Sequence, residues 1–210
     1  TNSFQTWFKS SSDGYYKITE YVNGLFDMES NDIRGLNYTY NADGYIWKYL
    51  GVDKTTARAA SENDQNYIIY RLADVLLMKA EALIMQGHNE DAADLIDRTR
   101  ERAGLGETTL SDDRMVMLET LLVERQKEFF GEGKNWFDLL RIGLRSEQLN
   151  DTQYKTLFVE QALKAVGASR QSLGRATLAN SGSWYLPYSE DELSKNPLLE
   201  QSDYYQSISN

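Results

Sequence analysis

The clearest pattern of apolar and polar positions runs from Tyr67 to Gln86. Ile69, Leu72, Ala73, Leu76, Ala80 and Leu83 recur at spacings of three and four, with Arg71, Asp74 and Gln86 on the outer side. That is the period of an amphipathic helix, and Gly87 supplies its stop. Asn89 is placed to cap a second helix, whose first turn carries Glu90 and Asp91 at the positive end of its dipole. Ala92, Ile96, Thr99 and Ala103 line its inner side, and Gly104 ends it. So short a turn predicts antiparallel helices over 67–86 and 89–103, with Leu76, Ala80, Leu83, Ala92 and Ile96 buried between them. A third helix is predicted from Ser111 to about Phe130, with Met115, Leu118, Leu122 and Phe129 on its apolar line. Arg125 falls inside that line. A cation there predicts a buried guanidinium with a carboxylate partner, and Glu81, flanked by Leu77 and Ile84, is the first choice.

The remaining elements are shorter. Gly131 and Gly133 break the third helix, and Trp136 to Arg141 reads as a short amphipathic helix. A helix follows at Tyr154–Val166, then a Ser/Gly-rich stretch. Tyr185-Leu186-Pro187 is extended, because the residue before proline avoids the helical region. Ser189 and Glu192 form a capping box for one helical turn, ended by Asn196-Pro197. Residues 1 to 66 read as loops around one β-hairpin. Leu36 to Tyr40 and Tyr45 to Leu50 alternate on either side of the turn formers Asn41-Ala42-Asp43-Gly44. Pairing them places Tyr38, Tyr40, Tyr45, Trp47 and Tyr49 on one face, which is either a core wall or a binding platform. The expected fold is mainly α, with 1–210 as a single domain. Loops and the hairpin occupy 1–66, a helical core 67–142, and an irregular tail with short helices 143–210. The 67–103 pair resembles one tetratricopeptide repeat, with Ala80, Leu83, Ala92 and Ile96 at its small and large positions and Lys79 where leucine is usual. One such repeat cannot bury its face alone.

Composition narrows the function classes. The net charge of −10 repels phosphate backbones, which argues against nucleic acid as a partner, and opposes adsorption to anionic lipid. No run approaches the length of apolar residues that spans a bilayer. The absence of cysteine excludes disulfides, thiolate nucleophiles and cysteine zinc sites. The opening Thr-Asn-Ser-Phe-Gln, with neither an initiator Met nor a signal peptide, reads as that of a fragment or a processed chain. Fourteen Tyr, seven Phe and four Trp leave a large stock of amphipathic rings.

Catalytic chemistry finds little support. Glu124, Glu128 and Asp138 could be proposed as a glycosidase pair, but Glu124 and Glu128 sit four apart on one helix face without a sugar cleft. Their structural reading is the stronger. His88 lies in a turn, where an exposed residue is the simpler account than a metal ligand. Gly131-Glu132-Gly133-Lys134 lacks the spacing and the Ser or Thr of a phosphate loop, and Asn180-Ser181-Gly182-Ser183 is no nucleophile elbow.

Five blocks, in order, carry a family resemblance. They are Asp32-Ile33-Arg34, followed by the aromatic hairpin and Lys48-Tyr49; Tyr67-Ile68-Ile69-Tyr70-Arg71-Leu72-Ala73-Asp74 through Lys79-Ala80-Glu81-Ala82; and Arg100-Glu101-Arg102-Ala103-Gly104-Leu105. The fourth runs from Leu121-Leu122-Val123-Glu124-Arg125 through Glu128-Phe129 and Glu132-Gly133 to Trp136-Phe137-Asp138-Leu139-Leu140-Arg141. The last is Leu186-Pro187, Glu192-Leu193, Asn196-Pro197 and Gln201. Together they resemble the C-terminal part of SusD/RagB nutrient-binding lipoproteins. Gln201-Ser202-Asp203-Tyr204 departs from the usual Gln-Asn-Pro-Gly-Tyr, and Pro187 is followed by Tyr188 in place of Ile-Pro. Family members are more than twice this length, so the N-terminal half, with its signal peptide, lipidated cysteine and most tetratricopeptide-like helices, is expected to lie outside this chain.

The resemblance implies a non-catalytic, cofactor-free protein on the outer face of the outer membrane. Such proteins pass oligosaccharides, or peptides in the RagB branch, to a TonB-dependent transporter. Membrane contact is expected only through the N-terminal lipid anchor. Sugars lay their C–H faces on aromatic rings, so the expected ligand-binding residues are Trp47, Tyr38, Tyr40 and Tyr45. Trp7, Tyr15 and Tyr16 are a second set, while Trp136 and Trp184 read as packing residues. The alternative is a helical-repeat module that binds peptide or protein, with a glycosidase third.

Overall fold

The computed structural model describes residues 17–59 and 66–208; Trp7, Tyr15 and Tyr16 lie outside them. The chain forms two compact units, dividing between Arg141 and Ile142. Both are helical, as expected. The first contains α1 (Glu20–Asp27), α2 (Trp47–Leu50), α3 (Leu72–Gln86), α4 (Asn89–Arg102) and α5 (Arg114–Glu128). Helix α6 (Asn135–Leu149) carries the chain into the second, which holds α7 (Thr152–Leu163), α8 (Ala168–Leu178), a 3₁₀ turn at Ser181–Trp184, α9 (Glu190–Lys195) and α10 (Asp203–Ile208).

The α3–α4 hairpin forms around Gly87, whose left-handed φ of 82° lets Gly87 N–H and His88 N–H close onto the carbonyls of Ile84 and Leu83. On α4 the expected inner face holds: Ala92, Ile96, Thr99 and Ala103 are all buried. Asn89 does not cap that helix; its amide donates to the Ser111 carbonyl at 2.8 Å. On α3 the buried face is turned from the predicted one. Asp74, Leu77, Ala80, Glu81 and Ile84 are buried, Leu76 and Leu83 are half-buried, and Ile69 and Leu72 are exposed. The carboxylates cause the difference, because Asp74 and Glu81 face inward toward arginines. A rule that puts charge outside reads the helix off by one position. Helix α3 also begins late. Arg71 is extended (φ −150°, ψ 165°), continuing the β-branched and aromatic run Tyr67-Ile68-Ile69-Tyr70 that disfavours helix.

The predicted hairpin over 36–50 is not a pair of strands. Asn37 takes a left-handed φ of 66° and interrupts the first arm, leaving only single bridges such as Tyr40 to Ile46. The second arm is one helical turn, α2, with the amides of Trp47 and Lys48 directed at the Thr39 carbonyl. Helical turning sends Trp47, Tyr49 and Leu50 into the core while Lys48 reaches Glu132, which strict alternation could not do. Two small clusters result: Tyr45, Ile46, Trp47, Tyr49 and Leu50 in one, and Val22, Phe26 and Tyr40 in the other. Phe130 packs against both. Helix α1, which supplies Val22 and Phe26, is unheralded in sequence because Gly24 sits in its middle.

In the second unit Phe158 and Trp184 pack with ring centroids 4.3 Å apart, over Gly143. The expected packing role of Trp184 is met, and its indole N–H donates to the Leu178 carbonyl at 2.9 Å. The Ser189 cap is also as predicted, accepting from Glu192 N–H at 3.2 Å. Helix α8 fills the Ser/Gly-rich stretch where no helix was expected.

Candidate functional site

The four candidate rings separate. Tyr38 is 41 % exposed, with Lys54 Nζ 4.6 Å from its ring centre. Tyr40, Tyr45 and Trp47 are buried, Trp47 to 7 %. The Trp47 indole donates to the Asp53 carbonyl at 2.7 Å, and Tyr40 packs on Phe26 at 5.9 Å. A ring enclosed by side chains has no face to offer a sugar. Tyr49 is buried as well, so the aromatic face read as a wall or a platform is a wall at four of its five positions.

Charge in the first unit is organised as two interior networks. In one, Arg34 forks onto Asp32 through Nε and Nη2, both at 2.9 Å, and extends Nη1 to Glu124 (2.6 Å) and Glu128 (3.1 Å). Glu128 also receives Arg71 and Arg102. Arg71 continues onto Glu132, which takes Lys48 at 2.7 Å. Lys127 joins Glu29 (2.6 Å) to Asp32 (3.4 Å), and Arg100 grips Glu29 from the other side at 2.6 Å. The loop 29–34 and the turn α2 are thereby fastened to α5.

In the second network, Arg125 is 3 % exposed. Its Nε and Nη2 each donate to Asp138 at 2.8 Å, and Nη2 donates to Asp74 at 2.9 Å. Lys134 supports Asp74 at 2.7 Å. The predicted burial and carboxylate pairing hold, but Glu81 is not the partner: it belongs to Arg141, which grips it at 2.6 to 3.2 Å. The Phe129 ring lies between the networks, with the guanidinium carbons of Arg71 and Arg125 at 4.7 and 4.8 Å.

The electrostatics set the two glutamates apart. Burial raises the Glu128 carboxyl, and the guanidinium groups of Arg71 and Arg102 more than offset this, holding it at about 2. Burial pushes Glu124 up, against the pull of Arg34. A general acid must carry a proton near neutrality, and Glu128 cannot. Its folded value lies below the ordinary 4.5, so its stabilisation is complete above that pH and is lost as pH falls toward 2. Glu128→Gln is expected to flatten the acid limb of a stability-versus-pH curve in that window, as read by urea unfolding. An unchanged slope would refute the assignment. Among the described residues no group of His, Cys, Asp and Glu could hold a metal ion, and no helix is long and apolar enough to cross a membrane. His88 is exposed in its turn.

Every charged residue of these networks except Glu29, Lys127 and Lys134 falls within the sequence blocks that carry the resemblance, and the comparisons agree with it. The SusD family model matches residues 1–205. The chain belongs to the SusD family. SusD-like protein P38 of Formosa agariphila is 37 % identical over 89 residues, covering 39 % of this chain and 18 % of that protein. SusD-like protein P25 of the same organism is 29 % identical over 171 residues, covering 80 % of this chain and 28 % of that protein. A SusD superfamily structure from Bacteroides fragilis superposes with a TM-score of 0.64 at 23 % identity, covering 93 % of this chain and 42 % of that one. A second, from Bacteroides thetaiotaomicron, gives 0.63 at 21 %, covering 96 % and 42 %. This SusD-family chain therefore spans less than half the length of the relatives it matches. The blocks that announce the family thus hold most of its ion-paired frame.

Proposed function

We propose that the chain is part of a surface protein that captures oligosaccharides, without cleaving them, for uptake through a TonB-dependent outer-membrane transporter. The family match over residues 1–205 carries this reading. Lipid anchoring in the outer membrane is part of the same proposal. The locked carboxylates favour binding over hydrolysis: Glu124 is held by Arg34, Glu128 by Arg34, Arg71 and Arg102, and Asp138 by Arg125 and Arg141.

Of the four rings, Tyr38 is the contact we propose, because it alone keeps an open surface. Stacking of one ring contributes about 1 kcal/mol beyond area burial, roughly fivefold in affinity. Tyr38→Ala is therefore expected to weaken oligosaccharide binding about fivefold by calorimetry, with unfolding unchanged. Chromatography of the incubated sugar should show no shortened products. Binding of peptides in preference to every glycan tested would replace this reading with the helical-repeat one. Hydrolysis products would overturn its non-catalytic part.

A further inference from the structure

Tyr38 shares its open surface with a cation. Lys54 lies with Nζ 4.6 Å from the centre of the ring and is itself exposed. Arg34, Arg71, Arg125 and Lys127 are all spent on carboxylates. Among the described residues Lys54 pairs with none. The acid beside it in sequence is committed elsewhere. One carboxylate oxygen of Asp53 accepts from Thr55 N–H and Thr56 N–H, each at 2.8 Å, and from the Thr55 hydroxyl at 3.2 Å.

The two side chains are set side by side by the same buried residue. Lys54 stands at the tip of a tight loop, closed by Val52 N–H donating to the Thr56 carbonyl and Arg58 N–H to the Leu50 carbonyl, both at 2.8 Å. The Trp47 indole N–H holds that loop through the Asp53 carbonyl at 2.7 Å. The Trp47 backbone N–H donates at 2.7 Å to the carbonyl of Thr39, the neighbour of Tyr38. One tryptophan thus anchors the residue next to the ring and the residue next to the ammonium.

A cation over an aromatic face is held by the negative quadrupole of the ring. A neutral sugar stacking on Tyr38 competes with that ammonium for the ring. An acidic sugar uses both: its C–H face lies on the ring, and its anionic group takes a charge-assisted hydrogen bond from Lys54. The net charge of −10 repels acidic polymers at long range, so such a ligand requires a local cation with no internal partner.

We infer that Tyr38 and Lys54 form one subsite for an acidic sugar residue, either a uronate or a sulfate ester. The assignment rests on the proposed capture of oligosaccharides and names the class of sugar captured.

Calorimetry on matched pairs tests it: oligogalacturonate against its methyl ester, and κ-carrageenan oligosaccharide against its desulfated form. The acidic member of at least one pair should bind about fivefold more tightly, the effect of a good exposed ion pair. The responding pair distinguishes carboxylate from sulfate. Lys54→Gln should abolish the preference and Lys54→Arg should keep it. Lys79→Gln, an equal change of net charge at an exposed position of α3, should leave it untouched. Tyr38→Ala should instead weaken both members of the pair. Salt at about 1 M, where the screening length shrinks to a few ångströms, should also remove the preference. Equal binding of acidic and neutral members, or an acidic preference that survives Lys54→Gln, would overturn the subsite and leave oligosaccharide capture standing. No binding of any sugar would remove both.

Discussion

Arg125→Met is expected to destabilise the first unit by about 3–5 kcal/mol, the cost of leaving a buried partner charge uncompensated. The substitution keeps most of the volume and removes the three hydrogen bonds that satisfy Asp74 and Asp138. Lys134 still reaches Asp74 and Arg141 still reaches Asp138, but neither replaces the two-pronged contact on Asp138. Phe129 also loses one of its two stacked guanidinium groups. Urea unfolding at neutral pH measures the loss. Adding Asp138→Asn to Arg125→Met should cost far less than the sum of the two single changes, because each alone strands the other. Additive losses, or a loss for Arg125→Met below about 1 kcal/mol, would show that the network contributes little.

Trp47→Ala should cost a similar amount for a different reason. Truncating a buried tryptophan removes its transfer free energy and leaves a cavity, together about 3–5 kcal/mol. The site cannot collapse easily. The ring lies against Gly51, where an added Cβ would fall 2.3 Å from the indole nitrogen, and its N–H is spent on the Asp53 carbonyl. Set beside Tyr38→Ala, the experiment separates two roles within one aromatic stretch. Loss of stability at Trp47 and of affinity at Tyr38 is the expected division. A Trp47→Ala protein that unfolds like the parent would return that ring to the list of ligand contacts.

What the sequence by itself determined is local and periodic. The α3–α4 pair, its stop at Gly87, the inner row Ala92, Ile96, Thr99 and Ala103, and the Ser189 cap were all legible, because each depends on residues within a few positions. The family was legible too, from blocks whose residues are fixed by mutual pairing. Arg125 announced its burial by interrupting an apolar row. Its partner could not be named, because Asp74, Glu81 and Asp138 are equally plausible carboxylates until two helices and a turn are placed in space. Tertiary structure alone decided that Asp74 points inward and that Glu81 belongs to Arg141. It alone decided that Trp47 to Leu50 winds into a helical turn, since an alternating aromatic run favours a strand until Lys48 must reach Glu132. The same holds for the rings. Whether a tyrosine is a wall or a platform depends on what packs over it, and for Tyr40 and Trp47 that cover comes from segments the alternation cannot see.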